Sequence, residues 1–168
     1  MKRLRSFTLL VTVFLAGFLN LNTYAQTAEV AVKGDVTNPF KISATSFATM
    51  KRMTVTIQAH DGKNHEYSGV SLFEILTKAG AVANNQLKGK SLVKYVLITA
   101  ADHYQVVIAL PEFDPAFTDR TIILADQEDG EPLAANFGPY RLIVPGDEKP
   151  ARSVMRVVSI DVQTAKTE

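Results

Sequence analysis

Residues 136–152 read NFGPYRLIVPGDEKPAR. Gly138-Pro139 makes a turn, residues 140–144 form a short run rich in strand formers, and Pro145 stops it. Proline ends a strand because it has no backbone N–H to give the ladder. A polar loop follows and ends in two cations, Lys149 and Arg152. Arg141 stands at the mouth of the strand. A guanidinium there, with more cations in the next loop, suits an oxyanion, which its planar fork can grip through two parallel N–H bonds. The same residues also suit an ordinary strand end, with Arg141 paired to a loop carboxylate such as Asp147 or Glu148.

On either side of this segment the chain reads as short strands with few helices. Residues 29–36 suit a first strand, and residues 43–50 a short helix capped by Ser43 or Ser46. In residues 53–60, Met53, Val55, Ile57 and Ala59 alternate with Thr54, Thr56, Gln58 and His60, the period of a half-buried strand. Asp61-Gly62 is a turn signal that returns the chain through residues 64–68 as a hairpin. Residues 69–80, GVSLFEILTKAG, carry the clearest helical spacing. Ser71 and Glu74 sit three apart as a capping box would, and Gly80 closes the helix. Residues 92–101 and 104–110 read as two strands joined at Asp102-His103, and residues 121–125 as another, followed by an acidic loop over 126–131. A last strand over 154–162 puts Val154, Val158, Ile160 and Val162 on one face, broken by Arg156. Strands outnumber helices and do not alternate with them, so the pattern predicts an α+β fold of mixed, mostly-β sheets rather than a doubly wound parallel one.

The first residues have a separate task. Lys2, Arg3 and Arg5 precede an apolar run over 7–21, and Thr23-Tyr24-Ala25 offers small residues at the third and first positions before a cut. This is the pattern of a secretory signal peptide, residues 1–25, leaving a single domain over 26–168 in the periplasm or outside the cell. No cysteine stands at the cut to take a lipid, so no membrane attachment is expected after cleavage. Three of the 18 cations and none of the 17 acids lie in the leader, which leaves two net negative charges on the remainder. Nucleic acid is therefore not an expected partner. The chain contains no cysteine at all, so its stability must come from its core and it offers no thiolate to a metal. The three histidines, His60, His65 and His103, match no ligand spacing, and no nucleophile elbow or phosphate-binding glycine loop is present.

Three stretches in this order carry a family resemblance: YSGVSLFEILTKAG (67–80), ADHYQVVIALPEFDPAF (101–117) and DGEPLAANFGPYRLIVPGDEKPARSVMRVVSIDV (129–162). Together they resemble the molybdopterin-binding domain of the sulfite oxidase family, and in particular its small exported stand-alone members. The resemblance implies mixed sheets around a pocket. In catalytic relatives that pocket holds molybdopterin, with one cysteine thiolate on the molybdenum. Here that position falls at or beside Ala59, with His60 next to it. The arginine of the family's Gly-Pro-x-Arg strand matches Arg141, and its loop cations match Lys149 and Arg152. These and His60 are the candidate cofactor-binding residues. Phe137 stands where catalytic members often have histidine, His103 replaces a turn glycine, and Ser153 replaces an aromatic residue. The leading expectation is an exported binding or accessory module without redox catalysis of its own, for a small anionic ligand, a pterin-like compound or a periplasmic protein partner. The alternative is a sulfite-oxidase-like component that holds molybdenum cofactor through pterin contacts alone.

Overall fold

The structure is a computed structural model that describes residues 29–58, 62–82 and 87–166. The segment read as a signal peptide, and Ala59 with His60, lie outside the described residues.

The first sheet holds β1 (Val30–Gly34), β2 (Phe40–Ile42), β5 (Lys94–Ala100), β6 (Gln105–Ala109) and β10 (Val157–Thr164), in the order β2-β1-β10-β5-β6. Only β1 and β10 run parallel in it. The second holds β3 (Arg52–Gln58), β4 (Asn64–Ser71), β7 (Ile123–Glu128), the two-residue β8 (Glu131–Pro132) and β9 (Arg141–Ile143). β3 and β4 form the expected hairpin, β4 lies beside β7, and β8 and β9 share β7's far side. The α+β expectation of mixed, mostly-β sheets is met.

The inner faces of both sheets close on one core. Val32, Val96, Ile98, Ile108, Ile160 and Val162 come from the first sheet, and Val70, Leu124 and Leu142 from the second. α2 (Leu72–Lys78) adds Ile75 and Leu76, while α1 (Ala44–Ala48) adds Phe47, packed edge-on to Tyr140 at 5.0 Å between ring centroids. Burying this much aliphatic surface is the main stabilising term in a chain without disulfides.

The structure departs from the sequence reading where long-range pairing overrides local pattern. Gly69, Val70 and Ser71 are strand, not helix, because their backbones pair with Ala125, Leu124 and Ile123 of β7. The Ser71 side chain caps α2 by accepting from Phe73 N–H, while the Glu74 carboxylate accepts from Lys51 N–H at 3.3 Å, so the expected capping box does not close. The acidic stretch 126–131 is the end of β7, a turn at Asp129-Gly130 and β8 rather than a loop. The last strand starts at Val157, with a register shift between Val157 and Ser159 that leaves Val158 exposed. Arg156 lies ahead of that strand, exposed and with φ 51°, its N–H and C=O bonded to Phe137 and Ala101.

Candidate functional site

β9 carries the central residues of the segment 136–152. Leu142 enters the main core, while Ile143 joins a second cluster with Tyr67, Ala125 and Leu133 on the sheet's other face. Arg141 stands two residues from Ile143 and so emerges on that second face. Its guanidinium carbon lies 5.3 Å from the Tyr67 ring centroid and 5.2 Å from that of Phe137, within cation–π range of both. Nη1 donates to the Tyr67 hydroxyl at 3.1 Å. Among the described residues Arg141 has no ion pair, and its Nε is buried without a partner. A partly buried cation without a direct ion pair, reaching a carboxylate only through the Tyr67 hydroxyl, is costly, and such a group calls for an explanation.

Arg141 and Tyr67 line a groove of about 490 Å³ with Ile57, Gln58, Val144 and Asp147. Ile57 and Gln58 place its rim at the end of β3.

The other expected site residues do not join Arg141. The Arg152 fork is closed on Asp147, with Nε to Oδ2 at 2.8 Å and Nη2 to Oδ1 at 2.6 Å, and Nη1 reaches Glu112 at 3.1 Å. Arg120 completes the ring, donating to Asp147 at 3.0 Å and to Glu112. The alternative pairing of Arg141 with Asp147 or Glu148 is not made; Arg152 and Arg120 take Asp147 instead. Lys149 lines a different hollow, about 560 Å³, with Tyr104 and Met155; Pro150 and Ser153 form the wall between the two. His60 lies outside the described residues. His65 Nδ1 sits 2.7 Å from Asp129 and 3.5 Å from Glu128, and no cluster of three or more metal-ligating side chains occurs among the described residues.

Sequence reasoning passed over Tyr67 and Glu128 as members of the site and noted Phe137 only as a departure from the family pattern. The only local signal for Tyr67 was its place in β4, two residues before Gly69. Its hydroxyl donates to Glu128 and accepts from Arg141, which orients both partners. Burial, and then the bond to Glu128, push the Tyr67 phenol up to about 12. The neutral form is thus favoured in the folded protein. That contribution is complete below the ordinary value of 10.0 and fades as pH rises through about 12. Burial also raises Tyr140. Absorbance titration should show a tyrosine step near 12 that Tyr67→Phe removes; an unchanged titration in the variant would assign that step elsewhere.

Residues 19–168 match the family model described as the oxidoreductase molybdopterin binding domain. The chain belongs to this family. A solved structure to which the domain is similar is the sulfane dehydrogenase SoxCD from Paracoccus pantotrophus, with a TM-score of 0.63 at 21% identity. The match covers 80% of this chain and 37% of that one, so this molybdopterin-binding domain spans little more than a third of that chain's length. At such identity the likeness shows the fold alone. No curated protein matches the chain.

The donor set decides how well the family's cofactor suits this domain. None of its 168 residues is cysteine, so a molybdenum–thiolate bond has no source here, and no other side chain supplies an equally soft anionic sulfur. Of the expected cofactor-binding cations, Arg152 is spent on carboxylates and Lys149 faces another hollow. What remains is Arg141, with one buried donor unpartnered. The residues present fit one anionic group and do not fit a thiolate-held molybdenum centre.

Proposed function

We propose that this chain is an exported anion-binding module built on the molybdopterin-binding fold, with no redox chemistry of its own. One observation carries the reading: Arg141 is clasped between two aromatic rings in a groove, without a carboxylate partner, in a chain that has no thiolate. The groove's partial burial strengthens any charge-assisted bond formed there. The leader pattern over residues 1–25 supports export, and mature protein should begin at Gln26 on N-terminal sequencing.

Two measurements test the reading together. Protein from its native compartment is assayed for molybdenum by elemental analysis and for released pterin by fluorescence, and is melted with a panel of small anions. No stoichiometric molybdenum is expected, and at least one anion should raise the melting temperature in wild type but not in Arg141→Ala. Stoichiometric molybdenum would instead establish the cofactor-holding alternative. An anion response identical in both proteins would remove Arg141 from the site.

A further inference from the structure

Charge around the Arg141 groove is unbalanced in a way that bears on which anion it takes. Among the described residues lining it, Arg141 is the single cation; of the two carboxylates there, Asp147 is matched by Arg120 and Arg152, while Glu148 makes no ion pair. The bond from Arg152 holds the Asp147 carboxyl below the usual carboxylate range, so this wall stays ionised at neutral pH. Glu148 is exposed on the same loop. The cations that could have balanced a second ligand charge, Arg120 and Arg152, are turned into the ring with Glu112 and Asp147. The Tyr67 hydrogen is given to Glu128, so the hydroxyl beside Arg141 has none left for a ligand.

The walls add a second constraint. Ile57, Tyr67, Val144 and Pro150 are apolar or aromatic and alternate with the polar Thr56, Gln58 and Ser153, and about 490 Å³ is far more room than a bare inorganic ion needs. Resting on the anion-binding reading above, we infer that the groove selects a singly charged oxyanion with an apolar body, an aromatic or aliphatic carboxylate, and disfavours doubly charged phosphate groups. The carboxylate would lie against the Arg141 guanidinium, and the body would lie along Ile57 and Val144. A dianion gains the same contact with Arg141 but faces Glu148 with its second charge uncompensated, since Arg120 and Arg152 are held by Asp147 and Glu112.

Three probes separate charge from bulk: benzoate, acetate (the same charge without the body) and phenylphosphonate (the same body, doubly charged at mildly alkaline pH). Calorimetric titration of the full chain should show benzoate binding at least about tenfold more tightly than either, each tenfold step being about 1.4 kcal/mol. Arg141→Gln should weaken benzoate by a similar factor, and Glu148→Gln, on the exposed loop, should narrow the gap between phenylphosphonate and benzoate. Phenylphosphonate equal to or tighter than benzoate would overturn the inference while leaving an anion-binding module. Acetate matching benzoate would overturn it as well, as would an unchanged gap in Glu148→Gln. If none of the probes binds in an Arg141-dependent way, both the inference and the anion-binding reading fall. The comparison among probes on wild-type protein holds even if Arg141→Gln fails to fold.

Discussion

Asp147→Ala is expected to lower the free energy of unfolding by about 2–4 kcal/mol, far more than a typical surface ion-pair loss. Asp147 is the hub of the ring: its side chain is only 13% exposed, and both oxygens are engaged by Arg152 while Oδ1 also accepts from Arg120. Removing it leaves two guanidiniums close together with Glu112 as their one remaining counter-charge. The ring also ties two connections together, since Glu112 and Arg120 lie between β6 and β7 while Asp147 and Arg152 lie between β9 and β10, so the loss is felt as loop order as well as charge. Urea denaturation of the variant measures the effect; a loss under about 0.5 kcal/mol would place the ring among surface pairs of little worth.

The pH dependence of the same group has a defined sign. Arg152's hydrogen bond lowers the folded-state value of Asp147 below its ordinary value of 3.8. Its contribution is therefore present above that value and is lost as pH falls through the lower folded value. The stability difference between wild type and Asp147→Asn should be flat near neutrality and shrink only under acid conditions below about 3.8. A functional consequence follows from the freed arginines. Asp147→Ala should gain a response to phosphate that wild type lacks, because Arg120 and Arg152 are then available beside the groove.

This ring shows where reading the sequence stopped. Arg152 looked like a free loop cation because its partner Glu112 lies forty residues away, beyond any periodic signal. Arg141 was legible, since a strand bounded by Gly138-Pro139 and Pro145 fixes which residue stands at its mouth. What holds Arg141 was not: Tyr67 is 74 residues distant and reaches it only because β4 and β9 flank β7 on opposite sides. The alternation of Met53, Val55 and Ile57 gave β3 its correct face, all three packing on the second cluster. The same argument misplaced Val158, because a register shift breaks the two-residue period without changing the composition. Local signals found the elements whose own pattern decides them; the pairings between distant strands set the site.

Gly69→Ala is expected to be a severely damaging single-methyl change, costing about 3 kcal/mol or more and disabling the groove. Gly69 was read from sequence as a helix entry, where alanine would be welcome. In the structure it lies in β4 at the register shift against β7, and a Cβ there would overlap the Leu124 carbonyl oxygen and stand 2.6 Å from the Ala125 Cα. These are backbone atoms, so no side chain can swing aside. Glycine in a strand interior marks such a close approach of another backbone. Gly130 provides the contrast: it has φ +85° but nothing within 4 Å, so Gly130→Ala carries only left-handed strain, about 1–2 kcal/mol. Equilibrium denaturation of the two variants separates crowding from strain, and a Gly69→Ala protein as stable as Gly130→Ala would contradict this account. The damage at Gly69 should travel to function. Ala125, the residue its methyl would displace, is the register partner of Arg141, and Leu124 is that of Leu142. Any separation of β4 from β7 therefore also parts Tyr67 from Arg141, and the anion response should vanish even under conditions where the variant remains folded.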